Sequence, residues 1–140
     1  MQSIPQLSKL LERTILVPAN IMKMILVVDD ELSIVEVVAT LLEQEGYKVL
    51  TAAGGKEALA CLEKNKVDLV LSDMMMPVMD GRELCKRIGA DATHSAIPVV
   101  LMSGTHSAAH LDGCRYAAFL GKPFDMQKLL SVVASALREK

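Results

Sequence analysis

Residues 69–81 read LVLSDMMMPVMDG. An apolar run of strand length stops on a single carboxylate, Asp73, and the chain then turns through methionines and a proline. A short apolar run bounded by turn residues is the pattern of a strand buried on both faces. Asp73 alone reads as a turn cap beside Pro77, so its meaning depends on what the other strands end on.

From Met24 onward, strand-like runs alternate with helical patterns. MILVV (24–28), YKVLTA (47–52), VDLVLS (67–72), IPVVLMS (97–103) and AAFLG (117–121) read as strands. The first helix, SIVEVVATLLEQEG (33–46), puts Ile34, Val38 and Leu41 on one face with Val35 and Leu42 beside them, and Gly46 is its stop. GKEALACLEKN (55–65) follows with Ala58, Leu59 and Leu62 inward, then GRELCKRIGA (81–90). HSAAHLDGCRY (106–116) reads as a short helix weakened by Gly113. DMQKLLSVVASALRE (125–139) turns Leu129, Val132, Val133 and Ala136 inward. Five strands alternating with five helices predict an α/β, doubly wound parallel sheet with right-handed crossovers. The first, third and fourth strands are the most continuously apolar and belong at its centre. The second, with Lys48 and Thr51, suits an edge.

With 140 residues, 51% of them hydrophobic, the chain suits one domain with an aliphatic core, since only 3% are aromatic and Trp is absent. The net charge is −2 and no Lys/Arg block occurs, so neither direct nucleic-acid binding nor a polybasic membrane anchor is expected. No apolar run approaches the ~20 residues that span a bilayer. The first 20 residues lack the pattern of a signal peptide, and the expected setting is cytoplasmic. Cys61, Cys85 and Cys114 are odd in number and lack C-x-x-C spacing, so reduced core cysteines are expected rather than a disulfide or zinc site. His94, His106 and His110 show no paired metal spacing and are expected to be exposed.

Residues 1–23 lie outside the alternation. Ser3 and Gln6 have capping-box spacing, Pro5 sits in the first turn, and Leu7, Leu10, Leu11, Thr14 and Ile15 form a stripe. These predict a short amphipathic helix over residues 4–15, broken by VPAN (17–20). A translated upstream segment is an equal reading, because Met22 and Met24 are both candidate starts.

In an open parallel sheet, sites form at the carboxyl ends of the strands. The first strand ends in Asp29, Asp30 and Glu31; the third in Asp73; the fourth in Ser103, Gly104 and Thr105; the fifth in Lys122, Pro123 and Phe124. Clustered carboxylates need raised pKa values or a cation. Mg²⁺ suits a site with few protein ligands and several waters, and it neutralises charge on a transferring phosphoryl group. A carboxylate can accept that group, with Lys122 and Ser103 donating to its oxygens. Singly, these residues are a helix cap, a turn cap and a solvated lysine; together, on matching strand ends, they make a site.

The segments VVDDE (27–31), LVLSDMMMPVMDG (69–81), VVLMSG (99–104) and GKPF (121–124) resemble the receiver domain of two-component response regulators, over residues 24–140. The resemblance implies a flavodoxin-like sheet of order 2-1-3-4-5. It also implies Asp73 as phosphoacceptor, Asp30 as the main Mg²⁺ ligand, Asp29 acting mostly through water, and the Met75 carbonyl completing the protein's ligands. Ser103 would be the switch hydroxyl, Lys122 the phosphate partner with a cis bond to Pro123, and Phe119 the aromatic switch. Ser103 lies 30 residues after Asp73, as the family pattern expects. In three respects the chain departs from the pattern. The 19-residue step from Ser103 to Lys122 is short, with the loss falling on the fourth helix. Gly104 replaces a common alanine, and Phe119 lacks a tyrosine hydroxyl. Met75 and Thr105 hold positions that tune dephosphorylation in this family, and an apolar Met75 implies a long-lived phosphoryl state.

The leading expectation is therefore a stand-alone receiver, a signalling phosphoacceptor rather than an enzyme with its own substrate. It would be loaded by a histidine kinase or phosphotransfer protein and act through an output partner. Whether the chain is one domain of a longer protein is left open, and a second copy is a candidate partner for the extra helix. A phosphorylation-independent binding module is disfavoured by the complete residue set. An Mg²⁺-dependent aspartyl-phosphate phosphatase is disfavoured because no D-x-D pair stands at Asp73, and a flavin-binding relative because acids replace a phosphate-cradling loop after the first strand.

Overall fold

Alternation along the first strand sorts the core into two layers. In the computed structural model, which describes residues 23–104 and 113–138, β1 (Met24–Val28) directs Ile25 and Val27 to one face and Leu26 and Val28 to the other. The remaining elements are α1 (Leu32–Gln44), β2 (Lys48–Ala52), α2 (Gly55–Lys64), β3 (Leu69–Asp73), α3 (Gly81–Ala90), β4 (Val99–Ser103), β5 (Ala118–Gly121) and α4 (Met126–Arg138). The sheet is all parallel with order β2-β1-β3-β4-β5. The apolar strands β1, β3 and β4 are central, as their composition predicts, and the order is the one the resemblance implies.

Helices α2 and α3 cover one face through Ala58, Leu62, Leu84, Cys85 and Ile88. Helices α1 and α4 cover the other through Val38, Leu42, Leu129, Val133 and Ala136. Each buried Leu, Ile or Val contributes roughly 1.5–3 kcal/mol of transfer free energy. Ile34 and Leu41 are only partly buried, whereas Val35 is buried, so the inward stripe of α1 is rotated slightly from the predicted one. Gly46 ends α1 with φ +96°, the left-handed region that favours glycine, and its N–H donates to the Glu43 carbonyl at 3.0 Å. Asp68 pins the start of β1 by accepting from the Met24 N–H at 2.8 Å.

Several expectations are corrected. Cys85 and Cys114 form a disulfide, with Cα atoms 5.6 Å apart, and Cys61 is the remaining thiol. A 29-residue separation concealed a proximity that the packing of α3 creates. His94 is buried rather than exposed: Nδ1 lies 3.2 Å from Asp91 Oδ2 and Nε2 lies 3.1 Å from the Leu62 carbonyl. The connection after α3 folds back onto the end of α2 and encloses the ring. The predicted helix over 106–116 falls mostly outside the described residues; over 113–116 the chain is not helical, and Gly113 sits in a turn at φ +80°. The predicted helix over 4–15, His106, His110 and Thr105 also lie outside the described residues.

Candidate functional site

Strand register gathers the site. Val28 pairs with Ser72, Asp73 with Met102, and Ser103 with Gly121, so Asp29, Asp73, Ser103 and Lys122 share the carboxyl rim of the sheet. Asp29 is buried and its Oδ1 accepts from the Glu31 N–H at 2.9 Å, which orients the carboxylate as the chain turns into α1. Asp30 is exposed beside it. Lys122 Nζ donates to Asp73 Oδ1 at 3.1 Å and to Asp29 Oδ2 at 3.4 Å. Its backbone N–H donates to the Ser103 carbonyl at 2.8 Å, and its bond to Pro123 is cis, as the resemblance implies. Ser103 is buried at the end of β4.

Burial pushes the Asp73 carboxyl above the usual carboxylate range; Lys122 opposes this, and the charges of Asp29 and Asp30 reinforce it. Burial works to lower the Lys122 ammonium, but Asp73 and Asp29 outweigh it, so it is held above the ordinary lysine value. Asp29, Asp30 and Asp73 each bring a carboxylate oxygen within 4.8 Å of the others. Three hard oxygen donors against one ammonium, with Asp30 open to solvent, fit a small divalent cation that keeps several waters. A second group, Glu63, Asp91 and His94, lies beside the C-terminal ends of α2 and α3, where both ring nitrogens of His94 are already engaged.

The loop after Asp73 is tightly closed. The Met74 N–H extends the β4 pairing by donating to the Met102 carbonyl at 2.8 Å, and the Gly81 N–H returns to the Met74 carbonyl at 2.9 Å. Met74, Met76 and Met79 anchor the loop in the core, while Met75 stands out beside the site at 62% exposure. Phe119 is partly buried and packs on the α2–α3 layer. In the sequence Gly81 reads as a helix start, and the Asp80-Gly81 pair is the local signal for the turn that brings its N–H to the Met74 carbonyl. The Glu31 amide that orients Asp29 carried no sequence signal.

Residues 25–134 match the family model of the response regulator receiver domain. The chain belongs to that family. The receiver is 38% identical over 119 residues to Response regulator Rre1 of Synechocystis sp., a match covering 81% of this chain and 51% of that protein. It is 37% identical over 119 residues to the probable transcriptional regulator ycf27 of Cyanophora paradoxa, covering 83% and 48%. The chain thus spans about half the length of the curated relatives it matches. Among solved structures, the receiver resembles the chemotaxis response regulator CheY4 of Vibrio cholerae, with TM-score 0.78 and 34% identity over 83% of this chain and 99% of that one. It also resembles the receiver domain of a sensor histidine kinase from Pseudomonas aeruginosa PAO1 (TM-score 0.74, 25% identity, 83% and 98% covered). That structure has a magnesium ion coordinated in its active-site cleft.

Proposed function

We propose that this receiver is the phosphoacceptor of a two-component relay, with Asp73 taking a phosphoryl group from a histidine kinase or phosphotransfer protein. The observation that supports this best is the bridge of Lys122 Nζ to both buried carboxylates, Asp73 and Asp29. Asp29, Asp30, Asp73 and the Met75 carbonyl would hold Mg²⁺, which when bound supplies positive charge to the transferring phosphoryl oxygens. An oxygen of Asp73 attacks phosphorus as the phosphorus–nitrogen bond of the donor phosphohistidine breaks. The departing imidazole keeps the electron pair and takes a proton from water. Lys122 favours the ionised nucleophile beforehand and donates to a phosphoryl oxygen afterwards. The aspartyl phosphate carries more negative charge than the carboxylate it replaces. The Ser103 hydroxyl and the Lys122 ammonium turn toward it, Phe119 follows, and the partner-binding face formed around β5 is reset. This reading sets the receiver in the cytoplasm with its kinase; no helix of the described residues is long and apolar enough to cross a membrane. Phosphorylation and its hydrolysis are the only chemistry it assigns.

The test is an intact-mass spectrum after incubation with Mg²⁺ and acetyl phosphate. The expected result is the gain of one phosphoryl group that requires Mg²⁺ and is absent in Asp73→Asn. No gain by folded, Mg²⁺-treated wild type, from acetyl phosphate or from a phosphorylated histidine donor, would sink the reading. The exposed, apolar Met75 offers no hydrogen bond to an attacking water. Met75→Asn is therefore expected to shorten the phosphoryl lifetime roughly tenfold, the effect of one hydrogen bond worth about 1.4 kcal/mol in the transition state. Equal decay rates in the two proteins would refute that role.

A further inference from the structure

We infer that Cys85 and Cys114 form a reversible redox site, a disulfide exchanged with a dithiol reductant, that ties the approach to β5 onto α3 and restrains the phosphorylation switch. The restraint and the reducing setting rest on the receiver reading above; the pairing of the two cysteines does not. Cys85 lies on the inner face of α3 between Leu84 and Ile88, and Cys114 is buried in the same cluster with Val99 and Leu101. Three residues after Cys114, the Ala117 N–H donates to the Val99 carbonyl at 2.7 Å and starts the strand that leads to Lys122. At its other end α3 begins at Gly81, whose N–H holds the Met74 carbonyl next to Asp73. The sulfur bridge therefore links two short elements, one leading to the acceptor and the other to the lysine that must follow the phosphoryl group.

Both cysteines are buried, and the cleft beside Cys85 with the cations of the neighbouring residues marks the side from which a reductant would reach the bond. Cys85 lies on the wall of a cleft of about 270 Å³ that Ile88, Pro98, Arg115 and Tyr116 also line. A methyl group at Gly113 would lie 3.4 Å from Lys86 Cε, so Lys86 passes beside the residue preceding Cys114. Cations next to a sulfur stabilise the thiolate that attacks or leaves. In a reducing compartment disulfides are transient and regulatory rather than permanent staples. In the exchange, a thiolate of the dithiol attacks one sulfur, the Cys85–Cys114 bond breaks, and the departing thiolate takes a proton. The reductant's second thiol, losing its proton, then closes its own disulfide and releases the other cysteine as a thiol. Two electrons and two protons reach the receiver, and the reductant is oxidised by the same amount.

The full chain is equilibrated across a series of dithiothreitol redox buffers, alkylated in denaturant, and its thiols are counted by mass. One modified thiol, Cys61, with Cys85 and Cys114 in a linked peptide, is expected on the oxidising side, and three modified thiols on the reducing side. Acetyl phosphate uptake is then timed in both states. The oxidised receiver is expected to load about fivefold more slowly, the low end of usual coupling between sites. Cys85→Ser and Cys114→Ser should each load at the reduced rate whatever the buffer. Three reactive thiols at every poise, or a linkage involving Cys61, would overturn the redox site. Equal rates for oxidised and reduced wild type, a comparison that needs no variant, would overturn the restraint. Failure to load in either state would strike the receiver reading and with it the restraint, while the thiol count would still decide the redox site.

Discussion

A methyl group on Gly81 would be driven into the carbonyl oxygen of Asp73 and would lie 2.9 Å from Met74 Cα. Backbone cannot yield as a flexible side-chain tip does, so Gly81→Ala should cost about 1–3 kcal/mol and displace Asp73. Gly89, in the same helix, has nothing within 4 Å of such a methyl, and Gly89→Ala should gain about 0.5–1 kcal/mol. Urea unfolding of the two variants separates these outcomes; a shared sign would count against the close approach at Asp73. Within the same loop Val78, a β-branched residue, takes φ +71° while the Met79 N–H donates to the Pro77 carbonyl at 2.8 Å. That is a γ-turn of the rare positive-φ kind. Val78 is 88% exposed and contributes little packing, so Val78→Asn should raise stability by about 1 kcal/mol. An unchanged or lower urea midpoint would show that the turn carries no strain. Residue chemistry at the rim was legible because Asp29, Asp30, Asp73 and Lys122 are polar groups set where apolar strands stop. Val78 was not legible, since backbone conformation inside a loop depends on where its two ends are held.

At the scale of elements, α3 matches its predicted span because its start is sharply written. Asp80 is the N-cap, and its Oδ1 accepts from the Glu83 N–H at 2.8 Å. Asp80→Ala should cost about 1 kcal/mol, read as a lowered thermal midpoint. Glu31, the N-cap of α1, makes no side-chain cap bond, so Glu31→Ala should change stability much less. Similar losses for both variants would mean that capping does not explain the Asp80 result. The short helix predicted over 106–116 had no such punctuation, and at Gly113–Tyr116 the chain instead turns and runs toward β5. Cys114 packs into the core there, and at Gly113–Tyr116 that burial rather than local helical propensity sets the backbone.

For the whole molecule, the rim couples folding to protonation. The Asp73 pKa is raised in the fold above its ordinary value of 3.8, first by burial. Its protonated form therefore favours the fold. That contribution is full below the unfolded value and is lost as pH rises through the folded one. At neutral pH the ionised carboxylate works against folding, so Asp73→Asn should be the more stable protein in urea with a metal chelator present. The advantage should fade as pH falls through the carboxylate range; an advantage that grew toward acid would contradict the raised pKa. Lys122 is shifted upward, so its contribution is fully present at neutral pH and is lost only in strong alkali.

Among the described residues, the alternation of elements, the central strands and the residues that end them follow from the chain's local pattern, because apolar runs and stop signals are local properties. Asp73, Lys122 and the acidic pair Asp29 and Asp30 are written in it for the same reason. Tertiary packing alone sets Lys122 against both Asp73 and Asp29, encloses His94 against the Leu62 carbonyl, and brings Cys85 to Cys114. Those contacts join residues brought together by sheet register and helix packing, and neither distance nor burial across such a gap is written in any one stretch of the chain.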